Sequence, residues 1–279
     1  KIFGSRNSRS LRCVWALEEA DATYEYQRVW MMKGEGQAPW FKGINPAGKI
    51  PVLQDGDLTL TESAAILHYI AEKFPQSGLL PSDLRTRAEV HRWTFYALTE
   101  LEPHLWAIAQ HRFALPEDKR VAALEPTAIW QFGRAAKVIE KRLAASPYIA
   151  GEEFTLADIV VFHCLVWALS AKLELAGEAC VAYIDRLKQR DPYIRATERE
   201  RLAQAACRRR NSLVAVHVRL PCLSPSGLAA RDRAPLSGKP LASPYRALIE
   251  PLAGPRALPR AKVPPTPVLG HPPLEPRSP

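Results

Sequence analysis

The chain has 279 residues, 47% apolar and 24% charged, enough to bury a sizeable core. This composition excludes a wholly disordered chain and a disulfide-stapled mini-protein, and no apolar stretch reaches the roughly 18 residues of a membrane span. The net charge of +9 sits entirely in residues 207–279, where 12 basic residues meet 3 acidic ones; the first 206 residues hold 26 of each.

The charge therefore argues for no nucleic-acid partner of the folded part, and the lack of a span argues for no membrane partner. The longest apolar candidate, residues 159–169, is broken by His163. The chain opens on Lys1-Ile2-Phe3 with no secretory leader evident. Five cysteines, Cys13, Cys164, Cys180, Cys207 and Cys222, form no close pair. They read as reduced thiols of a cytoplasmic protein.

In chain order, residues 1–4 predict a strand. Residues 10–20 predict a helix, with Leu11, Val14, Trp15 and Ala16 on helical spacing. Residues 24–30 alternate as a half-buried strand does. Residues 31–48, rich in Gly and Pro, predict loop with a short helix. Strand-sized runs at 50–54 and 58–60 flank Asp55-Gly56-Asp57 and predict a hairpin. Residues 62–74 predict a helix bearing Ala65, Ile66, Tyr69 and Ile70 on one face. The order β-α-β-α-β-β-α implies a mixed sheet covered by helices. After a linker at 76–84, residues 84–113, 119–145, 155–173 and 177–189 are helical. Pro103 should kink the first of these by removing an amide donor. Thr155 and Asp158 form a capping pair, with Phe154 and Ile159 placed as a hydrophobic staple. The domains are thus 1–75, a linker at 76–84, a helical region at 85–206, and a tail at 207–279.

Three local features carry chemistry. The turn Gly4-Ser5-Arg6-Asn7-Ser8-Arg9-Ser10 runs into a helix, where amides favour an anion; its serines also suit ordinary caps. In Lys49-Ile50-Pro51-Val52-Leu53 the Ile50–Pro51 bond is a candidate for the cis form, which would offer Ile50 backbone to an extended ligand. Thr61-Glu62-Ser63 opens a helix, where a hydroxyl and free amides suit a carboxylate and Glu62 suits an ammonium. Seven histidines show no metal spacing and no Cys-x-x-Cys occurs, so no metal is assigned.

Taken together, Asn7-Ser8-Arg9-Ser10, Asn45-Pro46-x-Gly48-Lys49-Ile50-Pro51-Val52-Leu53, Thr61-Glu62-Ser63-x-Ala65-Ile66 and Phe154-Thr155-Leu156-Ala157-Asp158 resemble the cytosolic glutathione S-transferases over residues 1–205. The likeness is to bacterial, serine-type, theta-like members, since no Tyr stands in the turn. It implies an α+β fold: a thioredoxin-like glutathione-binding domain, then an all-helical domain with an electrophile pocket. It implies a cis Pro51, Ile50 as backbone partner of the cysteinyl group, and Glu62 and Ser63 at the γ-glutamyl end. Lys49 would reach the glycine carboxylate. Glutathione is the implied co-substrate, a hydrophobic electrophile its acceptor, and a homodimer the usual assembly. The implied function is conjugation of the thiolate to electrophiles. Alternatives are a non-catalytic interaction module, or a glutathione-dependent peroxidase, disulfide reductase or isomerase.

The chemistry required is modest. A free thiol titrates near ~8.5, and lowering it by ~2 units needs ~2.7 kcal/mol. One hydroxyl donor to a charged acceptor supplies ~1.5–3 kcal/mol and a helix N-terminus ~0.3–1 kcal/mol. Ser8 is the expected donor, with Ser10 and Asn7 as alternates. Tyr96, Glu100 and His104, spaced i, i+4, i+8, are candidates for the electrophile pocket. Trp93, Trp106 and Trp167 read as core.

From 207 onward periodicity stops and proline recurs, which predicts a disordered, basic, Pro-rich tail. Three readings compete for it: an arm for an acidic partner, a Pro-x-x-Pro ligand at Pro264 and Pro267, or non-native sequence read out of frame.

Overall fold

The computed structural model describes residues 1–216, with side chains through residue 205. Strands β1 (Ile2–Gly4), β2 (Tyr26–Arg28), β3 (Val52–Asp55) and β4 (Leu58–Thr61) form one mixed sheet in the order β2-β1-β3-β4. β1 and β2 are parallel, so a crossover must join them, and helix α1 (Ser10–Glu19) is that crossover. β3 runs antiparallel to β1 and to β4. Gly56, at φ +60°, closes the β3–β4 hairpin in a conformation that costs a glycine nothing. The second predicted strand is shorter than its pattern, and the short helix before β3 is α2 (Pro39–Lys42). Helix α3 (Ser63–Lys73) follows β4 directly.

Successive strand residues point to opposite faces. Ile2 and Leu53 join Val14, Leu17, Ile66 and Ile70 in the large core beneath α1 and α3. Phe3 and Val52 turn the other way, onto Val29 and Phe41.

The second half is helical: α4 (Leu84–Tyr96), α5 (Glu102–Ala109), α6 (Glu125–Ala144), α7 (Leu156–Ser170), α8 (Glu178–Lys188) and α9 (Asp191–Val216). The single helix predicted at 84–113 is broken by a π-type turn, Ala97–Leu101, just before Pro103, which occupies the first turn of α5. There a missing N–H leaves no helical bond unmade. Pro126 likewise sits in the first turn of α6, which is why that helix begins at Glu125 and not at 119. α7 is apolar on nearly every side and is buried accordingly. Its entry is the expected capping box. The Thr155 amide and hydroxyl both donate to Asp158 Oδ2, at 2.8 and 3.1 Å, and Tyr183 and the Ile149 amide bond to Oδ1. Burial raises the Asp158 carboxyl, against the pull of these donors.

Helix α9 has no counterpart among the predicted elements. Its sequence is rich in Arg and Glu and lacks an apolar stripe, so periodicity does not reveal it. Ion pairs and aromatic contacts lay it on α1. Arg190 clasps Glu19 through two bonds of 2.9 and 2.8 Å, Arg195 meets Glu18 at 2.9 Å, and Tyr193 packs on Trp15 at 4.9 Å. α9 carries helix to Val216, past the predicted start of the tail at 207. Residues 217–279, with most of that tail, lie outside the described residues.

Candidate active site

The register of the sheet assembles the site. Phe3 pairs with Val52 and Val52 with Thr61. The end of β1, the start of β3 and the end of β4 therefore share one edge of the sheet. The serine turn, Ile50–Pro51 and the Glu62–Ser63 helix entry leave from that edge.

Ile50–Pro51 is cis. Neither the Ile50 amide nor its carbonyl has a protein partner among the described residues. The preceding loop is braced by buried Asn45. Its Nδ2 donates to the Lys49 carbonyl at 2.7 Å, and its Oδ1 accepts the Ala47 amide at 3.1 Å. Gly48, at φ +65°, passes so close to Gly36 that a Cβ would stand 2.4 Å from the Gly36 carbonyl oxygen. The Lys49 side chain is exposed. Glu62 is exposed, with φ +64°, and no side chain caps the α3 entry. Ser63 is buried, and its hydroxyl accepts from Arg12 Nη1 at 3.2 Å.

The three thiol-activation candidates separate by burial. Ser8 is half-buried just ahead of α1. Its hydroxyl reaches the Ser5 carbonyl at 2.7 Å and Ser10 Oγ at 2.6 Å, and accepts the Ser10 amide at 3.2 Å. Ser10 is fully buried, with its hydroxyl turned to the Ser5 carbonyl at 2.9 Å and to Glu200 Oε1 at 3.2 Å. Asn7 holds a left-handed conformation at φ +60°.

Behind the turn lies a buried polar network that sequence reading missed. Arg12 Nη2 donates to Glu102 Oε2 at 2.6 Å and to His163 Nδ1 at 3.1 Å. Arg9 bonds the other oxygen of Glu102. Burial alone would raise the Glu102 carboxyl, but Arg12 and Arg9 overcome it and hold it at about 2. Burial, then Arg12, pushes His163 well below its ordinary value, so the ring is neutral. Arginine only donates, so Nδ1 is the acceptor. The ring proton is then on Nε2, which donates to the Ser8 carbonyl at 3.3 Å. Two signals in the sequence mark this network. Arg12 stands between Leu11 and Cys13 in an otherwise apolar helix stripe, and His163 interrupts the apolar run of α7.

Tyr96, Glu100 and His104 are not brought to the serine turn. The Tyr96 hydroxyl donates to the Ala135 carbonyl of α6 at 3.1 Å, and Glu100 is exposed in the π-type turn. Glu100 nevertheless stays near enough to Tyr96 and His104 to act on both electrostatically, so the three remain neighbours across that turn. Glu102 and Trp106 face the turn instead. The Arg9 guanidinium lies 5.2 Å from the Trp106 ring and 4.9 Å from that of Trp167, both half-buried, whereas Trp93 is core as expected. A cavity of about 390 Å³ lined by Tyr148, Phe154 and Arg190 shares no residue with this constellation.

Comparison with known proteins agrees with this geometry. Residues 1–72 match the family model "Glutathione S-transferase, N-terminal domain", and residues 128–196 match "Glutathione S-transferase, C-terminal domain". The chain is 33% identical to glutathione S-transferase F10 of Arabidopsis thaliana over 165 residues, 57% of this chain and 75% of the relative. It is 37% identical to glutathione S-transferase Z2 of the same plant over 159 residues, 55% of this chain and 69% of the relative. Among solved structures, it is similar to the theta class glutathione S-transferase of Xanthomonas axonopodis pv. citri with glutathione bound. There the TM-score is 0.59 at 30% identity, covering 70% of this chain and 95% of that one. The sheet with its cis Ile50–Pro51, the helical second half and these matches lead to one conclusion: the chain belongs to the glutathione S-transferase family.

Proposed function

We propose that the chain conjugates glutathione to electrophilic carbon as a serine-type, theta-like transferase, with Ser8 as the hydroxyl donor to the thiolate. The observation that carries this reading is the position of Ser8. It is half-buried at the mouth of α1, on the sheet edge shared with Ile50–Pro51 and the α3 entry, while Ser10 is sealed beneath it. Glutathione would lie along that edge. Its cysteinyl backbone would pair with the free amide and carbonyl of Ile50. The γ-glutamyl carboxylate would meet Ser63 and the uncapped amides of α3, with its ammonium on Glu62. The exposed Lys49 would take the glycine carboxylate. The thiol gives its proton to water and the thiolate is held by Ser8. Sulfur then bonds to the electrophilic carbon as the leaving group departs with its electron pair. Trp106 and Trp167, half-buried beside Arg9, suit an apolar electrophile better than Tyr96, Glu100 and His104.

A cytoplasmic setting and a homodimer belong to the same reading. Cys13, Cys164 and Cys180 are buried free thiols, as a reducing compartment allows. The decisive experiment follows the ultraviolet absorbance of bound glutathione thiolate against pH for wild type and Ser8→Ala. A thiol pKa below that of free glutathione, lost in Ser8→Ala, supports the reading. Binding without any shift would make the protein a non-catalytic module.

A further inference from the structure

Helix α9 delivers a carboxyl to the back of the serine turn. Glu200 is 2% exposed, although it lies outside both segments matched by the family models. Its Oε1 stands 3.2 Å from Ser10 Oγ and 3.5 Å from the Tyr26 hydroxyl. Charged and titratable groups around it include Arg6 from the turn, Cys13 of α1, Tyr193 of its own helix, and Arg28 of β2, which bonds the Gln204 carbonyl one turn along α9. No basic side chain forms an ion pair with it among the described residues. Burial pushes its carboxyl up to about 8, with Ser10, Arg6 and Tyr26 opposing that rise. The carboxyl therefore changes charge close to working pH.

Ser10 Oγ continues the chain to Ser8 Oγ at 2.6 Å and to the Ser5 carbonyl at 2.9 Å. Each hydroxyl owns one hydrogen, so the chain Glu200–Ser10–Ser8 has two orientations. A charged Glu200 can only accept. The Ser10 hydrogen then points to it, and Ser10 Oγ is left as an acceptor that draws the Ser8 hydrogen inward. A protonated Glu200 donates to Ser10. Ser10 can then donate to Ser8 Oγ, and the Ser8 hydrogen, no longer drawn to Ser10, is left with the Ser5 carbonyl at 2.7 Å or an anion outside the turn.

We propose that Glu200 is a positioning residue whose proton selects the outward orientation of the Ser8 hydroxyl, so that the glutathione thiolate is fully stabilised only while Glu200 is neutral. The inference rests on Ser8 being the thiolate donor. It makes the rate against pH bell-shaped: the acid limb is thiol ionisation, the alkaline limb is proton loss from Glu200.

The test uses the full chain, glutathione and a neutral chloronitrobenzene, with kcat/KM followed from acid to alkaline pH. In wild type the rate should fall about tenfold above roughly pH 8, the loss expected when one hydrogen bond to a charged sulfur is withdrawn. Glu200→Gln cannot ionise and keeps a donor toward Ser10, so the alkaline fall should vanish. Ser10→Ala cuts the chain from the other side and should abolish the same fall, which keeps the test open should the Gln variant not fold. A wild-type profile with no alkaline fall, or a fall that persists in Glu200→Gln or Ser10→Ala, overturns the inference. Ser8→Ala separates the two readings. If it raises the bound thiol pKa while Glu200→Gln keeps the fall, only the Glu200 role is lost. If it leaves the thiol pKa unmoved, both are lost.

Discussion

Two carboxyls from the helical half flank the start of α1, Glu102 half-buried and Glu200 buried, and their charges differ. Glu102 reaches it from α5 and meets two guanidiniums, which hold it at about 2 in spite of burial. Glu200 reaches it from α9 and meets hydroxyls, and there burial wins, at about 8. Burial raises both; the chemistry of the partners decides the outcome. One side of α1 is thus a fixed ion cluster that orients Ser63 and, through His163, the Ser8 backbone. The other side is a proton-dependent support for the Ser8 hydroxyl.

The largest effect should come from breaking the fixed side. Glu102→Ala strands Arg12 without its counter-charge, and urea unfolding should show a loss of about 3–5 kcal/mol. The wild-type contribution has a definite sign. A carboxyl held below its ordinary value stabilises above that value, so stability should decline as pH falls from 4.5 through about 2.

Next comes the ligand-facing hydroxyl. Ser8→Ala should raise the bound thiol pKa by about 1–2 units, the equivalent of losing about 1.5–3 kcal/mol of donation to a charged sulfur. Spectroscopic titration reads this directly.

The proton-dependent side should give a signal of opposite slope. A carboxyl raised above its ordinary value stabilises most below that value, and its contribution is lost as pH rises from 4.5 through about 8. Wild type should therefore lose stability relative to Glu200→Gln as pH rises through that window, measured by denaturant midpoints.

The smallest effect tests the displaced pocket. Tyr96→Phe removes one bond to the Ala135 carbonyl and should cost about 1 kcal/mol of stability. The KM for the electrophile should respond to Trp106→Ala and not to Tyr96→Phe.

The features of the candidate site were readable because each is short and local. Ser8, Ile50–Pro51 and Glu62–Ser63 announce themselves through residue type and spacing within a few positions, as does the Thr155–Asp158 cap. The stripe of Tyr96, Glu100 and His104 assumed an unbroken helix, and the spacing gave no sign of the π-type turn within it. A π-type turn just ahead of Pro103 shifts the face that follows, so Glu102 and Trp106 meet the serine turn. Helix α9 escaped notice because ion pairs with Glu18 and Glu19, not an apolar stripe, hold it to α1.

The sequence by itself determined the mixed sheet and the helical second half, and it nominated the candidate groups at the serine turn, Ile50–Pro51 and the α3 entry. Strand alternation, turn residues and caps act over neighbours in the chain, so they are legible there. Only the tertiary structure decided how those groups are charged and supported. Arg12 meets Glu102 across 90 residues and Ser10 meets Glu200 across 190, and a side chain's charge follows from what surrounds it in space.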